Sequence, residues 1–164
     1  MARLTAEEFL DEAIYRRIQF IRYITGQVNY VQFVIKELNQ DIAQYVLKKE
    51  LIETKGQYHD SQKYIRQKCM IYRERLNKYL QKELKAFVKE QSAWIYQYSP
   101  SKLEKVDRDK ILRDINFVSF SDTDNIKSYI VRIFNQIFQL WSNQLRIAYR
   151  VKLPMSDMVK QILE

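Results

Sequence analysis

Residues 10–52 read LDEAIYRRIQFIRYITGQVNYVQFVIKELNQDIAQYVLKKELI, and this stretch decides the fold. Ile14, Ile21, Val28, Ile35 and Ile42 recur every seven positions, and Leu10, Ile24, Val31, Leu38, Tyr45 and Ile52 form a second row three residues on. Only Arg17 and Lys49 interrupt the two rows. Interleaved rows of this spacing place an apolar seam along one side of a long helix and call for a second helix to cover it.

Punctuation outside the seam sets the neighbouring elements. Thr5-Ala6-Glu7-Glu8 is a capping box that opens the first helix. Gly56, where the seam fades, reads as a helix end, with Asp60 or Ser61 capping the next helix, so a turn is expected near 54–61. The second helix carries Tyr64, Ile65, Tyr72, Leu76, Tyr79, Leu80, Leu84, Phe87, Trp94 and Tyr98, with a four-residue slip at Leu76-Leu80-Leu84. Pro100 breaks it, and Ser101-Lys102-Leu103-Glu104 starts a shorter element. Asn116-Phe117-Val118-Ser119-Phe120 reads as an extended connector, and Ser121-Asp122-Thr123-Asp124 as the cap of a core helix over about 122–151. Ser156 then leads a last short helix. The expected fold is all-α: a long antiparallel, coiled-coil-like helical hairpin over 1–98, followed by a smaller helical C-terminal bundle over 99–164.

Composition agrees. The chain has 164 residues, 46% of them hydrophobic, with only two glycines and two prolines. So few breakers suit long helices and leave nothing for a glycine-rich phosphate loop. No run has the length and apolarity of a membrane span, and the first residues read as neither a signal nor a transit peptide. The single Cys69 excludes an intramolecular disulfide and fits a reducing compartment. His59, the only histidine, lies in the expected turn without the partners of a metal cluster. Acidic pairs such as Glu7-Glu8 and Asp122-Asp124 stand at helix starts, where the helix dipole accounts for them. No catalytic constellation emerges, so the expectation is a non-enzyme with no cofactor and no metal.

The net charge of +8 is uneven: residues 1–56 are neutral and residues 57–100 carry +5. Lys63, Arg66, Arg73, Arg75, Lys78, Lys82, Lys85 and Lys89, interleaved with tyrosines, are candidate non-specific nucleic-acid contacts. A solvated basic helix face explains the same residues without a ligand. Trp94, Tyr98 and Trp141 are candidate partner-interface residues, since aromatic side chains mark such interfaces.

The C-terminal third, from Ile115 through the long helix Ile126 to Val151 and on to Asp157-Met158-Val159-Lys160-Gln161-Ile162-Leu163, resembles the N-terminal helical region of minor head (head morphogenesis) proteins of tailed phages. The resemblance implies a structural virion component that engages a portal or capsid assembly, lies in the virion or host cytoplasm, and in some members meets packaged DNA. It assigns no functional residue. Two other readings fit the residues alone: a dimeric nucleic-acid-binding regulator joined through its own seam, and a cytoplasmic helical adaptor.

Overall fold

In the computed structural model, residues 4–98 and 105–164 are described, the side chains of 24, 88, 91, 92, 95–98, 105–124 and 126 excepted. The protein is all-α: α1 spans Ala6–Lys49, α2 Lys55–Tyr98, α3 Lys105–Val151 and α4 Met155–Leu163, with no strand among the described residues. The first turn of α1 forms as its capping box requires. The Glu8 amide donates to Thr5 Oγ1 (3.2 Å), and the Thr5 hydroxyl donates to the Glu8 carboxylate (2.9 Å).

α1 and α2 make an antiparallel hairpin, but its turn lies earlier than the Gly56 reading expects. α1 ends at Lys49, Glu50 takes a left-handed conformation (φ 60°), and α2 begins at Lys55. Gly56 is helical and has no positive φ. The cap is instead a second box, Thr54-Lys55-Gly56-Gln57. The Gln57 amide donates to Thr54 Oγ1 (3.2 Å), while Gln57 Oε1 accepts from the amides of Glu53 (2.9 Å) and Thr54 (3.2 Å). Reciprocal satisfaction of amides outweighs the glycine as a stop signal here.

Two compact units share these helices. The first comprises Met1–Asn29 and Lys78–Lys127, the second Tyr30–Asn77 and Ser128–Glu164. They divide the helices across their lengths, whereas the chain-order reading splits the protein at residue 98.

In the second unit the buried rows are Val34, Leu38, Ile42 and Val46 on α1, Ile65, Cys69, Tyr72 and Leu76 on α2, and Ile130, Phe134, Trp141 and Leu145 on α3. α3 runs antiparallel to α2, as Gln62 bonds Ser142 (3.0 Å) and Tyr58 stacks on Tyr149 (4.9 Å between centroids). Trp141, fully buried, donates its indole N–H to Asn39 Oδ1 (3.0 Å). α4 seals one end with Met155 and Met158, both fully buried. It begins at Met155 behind Pro154, one residue before the expected Ser156 start.

The connections at this end are tied together. The Met155 amide donates to the Glu50 carbonyl (2.8 Å), and Lys152 Nζ donates to the Glu53 carbonyl (3.1 Å). Lys152 is itself left-handed (φ 57°), and the Leu153 amide closes α3 onto Ala148 (2.9 Å), a Schellman ending made without glycine.

In the first unit, aromatic pairs join α1 and α2. Phe9 stacks on Trp94 (4.9 Å), and Phe20 (5.2 Å) and Tyr23 (4.8 Å) both meet Phe87. Arg16 lies over Trp94 (4.4 Å) and approaches Glu12 (3.6 Å).

The Phe-rich run 116–120 is helical, and Ser121–Asp124 continue the helix instead of capping it. An extended run with no strand to pair with would leave its backbone groups without partners, and β-propensity is too weak to impose that. The capping box at 101–104 and the break at Pro100 fall outside the described residues.

Truncating the most buried ring tests this account of the core. Trp141→Ala is expected to lower unfolding stability by about 3–5 kcal/mol, and Thr54→Ala by about 1 kcal/mol, in urea titrations. Equal losses would show that the caps, and not the second unit's core, dominate stability.

Candidate functional site

The residues that the sequence singles out separate into inner and outer sets. Of the seam, Leu38 and Ile42 are fully buried and Val31, Ile35 and Tyr45 half-buried, whereas Leu10, Ile14, Ile21 and Val28 are exposed. The side chain of Ile24 lies outside the described set. In the first unit the inward face of α1 is carried by Phe9, Ala13, Arg16, Phe20, Tyr23 and Gln27, spaced four and three apart. That spacing averages about 3.6, the period of a straight helix. These residues follow the 3.6-residue period and not the stricter seven-residue row.

The two tryptophans read as interface residues lie inside. Trp141 is fully buried, and Trp94 is 7% exposed beneath Phe9 and Arg16. A large ring on a core-facing position removes more apolar surface from water than any other residue there, so each unit retains its own. The side chain of Tyr98 is outside the described set.

The eight basic candidates fall into three groups. Lys78, Lys82, Lys85 and Lys89 are all exposed and, spaced four, three and four apart, share one face of α2 over ~16 Å. Arg75 is taken up elsewhere, against Glu37 (3.4 Å) and over the Tyr72 ring (4.5 Å). Lys63 is exposed, while Arg66 and Arg73 lie beside α3. There Arg66 and Arg73 line a groove of about 270 Å³ with Cys69, Met70, Phe134, Asn135 and Phe138. Arg66 lies 5.2 Å from the Phe138 ring centroid. Neither arginine has a carboxylate within 4.0 Å among the described residues, so both guanidinium groups can take an anion.

Tyr72 anchors a polar cluster between α1 and α2. Its hydroxyl donates to Asp41 Oδ2 and lies 3.3 Å from Glu37 Oε1. Burial first, then the bond to Asp41 and the charges of Asp41 and Glu37, push its pKa well above the ordinary tyrosine value, so it stays a neutral donor. Burial, with Glu83 and Tyr79 nearby, raises Tyr23 to about 12. Cys69, at the floor of the groove, is raised to about 11 by burial. A thiol so protonated is a weak nucleophile at neutral pH.

No group of three or more His, Cys, Asp or Glu side chains among the described residues is placed to hold a metal ion, and no helix of the described chain is long and apolar enough to cross a membrane. The geometry defines the class: an all-α protein of long helices whose charged and apolar rows lie on outer faces. Compared with protein-family models, with characterised proteins and with solved structures, the chain matches none.

These raised pKa values carry a sign. The folded state holds the Cys69 proton more tightly than the unfolded chain does, so the associated stability is complete below about pH 9 and is lost as pH rises toward 11. Alkylation of the native thiol is accordingly expected to be slow at pH 8 and to accelerate only above pH 10. Fast, stoichiometric modification at pH 7 would contradict the buried placement.

Proposed function

We propose that this chain is a non-enzymatic structural component of a phage particle, of the head- or portal-associated kind, that docks on a multimeric protein partner. The observation that carries this reading is an apolar row on the outside of α3: Tyr129, Leu140, Ile147 and Val151, all exposed in the second unit. Their spacing of eleven, seven and four keeps them on one helix face, about 100° from the buried Ile130, Phe134 and Trp141. A rigid row of this kind suits insertion into a partner's groove. The assignment to a phage particle rests on the C-terminal resemblance; the break after α3 and the short last helix fit it, whereas its Phe-rich connector and its Ser121–Asp124 cap are parts of α3.

The four-lysine face of α2 supports a second element of the same role, a contact with packaged DNA. Lysines spaced along ~16 Å of helix meet phosphates without reading sequence. Each phosphate contact contributes about 0.9 to the slope of log affinity against log salt concentration.

Two substitutions separate these elements. Leu140→Glu with Ile147→Glu is expected to leave the helical signal intact and to remove the chain from purified particles in a sedimentation gradient. If the wild-type chain never sediments with particles, the structural role falls. Changing Lys78, Lys82, Lys85 and Lys89 to Gln is expected to weaken binding to duplex DNA and flatten its salt dependence, while particle association persists. Unchanged binding would remove the DNA contact.

A further inference from the structure

We infer that the outer row of α1 in the first unit is where a second copy of this chain docks, antiparallel to the first. Leu10 is 60% exposed, Ile14 54%, Ile18 46%, Ile21 58% and Val28 51%. Spacings of four, four, three and seven hold them on one face over ~27 Å, turned away from Phe9, Phe20 and Tyr23, which meet α2. β-Branched residues at a seven-residue interval (Ile14, Ile21, Val28) are the kind that a helix pair interlocks. A docking row with the same residues on both sides is what a two-fold symmetric interface requires.

The charges flanking the row choose the direction. Glu12 is held by Arg16, and Glu8 by Thr5. Glu7, Asp11, Arg17 and Arg22 have no ion-pair partner among the described residues. An antiparallel pair that sets Ile14 against the second copy's Ile18, and Leu10 against its Ile21, brings Asp11 beside its Arg22, and symmetry repeats the contact. A parallel pair in register sets Glu7 beside Glu7, like charges at close range. Arg17, at the edge of the row, comes near its own copy in either direction and does not discriminate.

This inference rests on reading exposed apolar rows as docking faces, but its test needs only the isolated full chain. Light scattering after size exclusion is expected to give twice the 20.0 kDa chain mass at micromolar concentration, unchanged in high salt. Ile14→Glu with Ile18→Glu should return the single-chain mass with the helical signal preserved. Ile14→Ala with Ile18→Ala repeats the measurement with strong helix formers, should the charged pair unfold.

Direction is read by exchange. Asp11→Arg alone should weaken the dimer about tenfold, and adding Arg22→Asp should restore it. In a Cys69→Ala background, Leu10→Cys should form a disulfide with Ile21→Cys when the two chains are mixed, and Ile21→Cys should not link to itself, because ~15 Å would separate the two positions. A single-chain mass throughout, a dimer indifferent to Ile14 and Ile18, or self-linked Ile21→Cys would each overturn the inference. A monomer that still enters particles would leave the structural role standing, and a dimer excluded from particles would do the reverse.

Discussion

A seven-residue row on a straight α-helix rotates by about 20° per repeat, and that rotation decides how α1 is used. From Ile42 back to Ile14 lie four repeats, so a row that faces the core at Ile42 has turned by about 80° when it reaches Ile14. Ile42 is accordingly buried and Ile14 exposed, although both belong to one row. The inward face passes to residues spaced near 3.6, and in the first unit these include Phe9, Phe20 and Tyr23. Their rings meet Trp94 and Phe87, side chains large enough to bridge a helix pair without an interlocking aliphatic seam. The drifted residues then form an outer row. One geometric mismatch thus produces both the aromatic packing and the uncovered aliphatic face.

The second unit divides stability and register between different groups. Trp141, Phe134, Leu38, Ile42, Ile65 and Met158 are buried almost completely, and burial on that scale dominates the energetics. The exposed Arg75–Glu37 pair contributes at most about 1 kcal/mol. Polar contacts act on alignment instead. Trp141 to Asn39, Tyr72 to Asp41 and Gln62 to Ser142 each fix one helix against another at a single position. A slip of one residue along any helix breaks its bond and leaves a half-buried polar group without a partner. The tied connections at Glu50 and Met155 add a backbone constraint at the end where four helix termini meet.

The long elements were legible because the chain has so few helix breakers and such clear apolar rows. α1, α2, their antiparallel pairing and the break near Lys152–Pro154 all follow from spacing and caps. The turn falls at 50–54 and not near 54–61, because Thr54 and Gln57, and not Gly56 and Asp60, carry the cap. Two left-handed positions are occupied by Glu50 and Lys152, residues that give no turn signal of their own. The Phe-rich run misled for another reason. Local β-preference is a statement about packing on a sheet, and no sheet exists among the described residues to supply it. For the candidate site, residue type was legible but facing was not. Trp94 and Trp141 have the chemistry of interface residues, yet half a turn of helix, about two residues, separates a core ring from a docking ring.

The basic residues of α2 fall on separate surfaces. Arg66 and Arg73, seven apart, line a groove against α3 in the second unit, while Lys78, Lys82, Lys85 and Lys89 form an exposed row on α2 in the first. The lysine face is open, repeats at helical spacing and has no recess, which suits a polyanion held without sequence preference. The arginine groove is bounded by Phe134 and Phe138 and admits a small anionic or planar group with a defined orientation. The basic residues of 57–100 thus include an open lysine row in the first unit and an arginine groove in the second, and Arg75 is taken up by Glu37 and Tyr72.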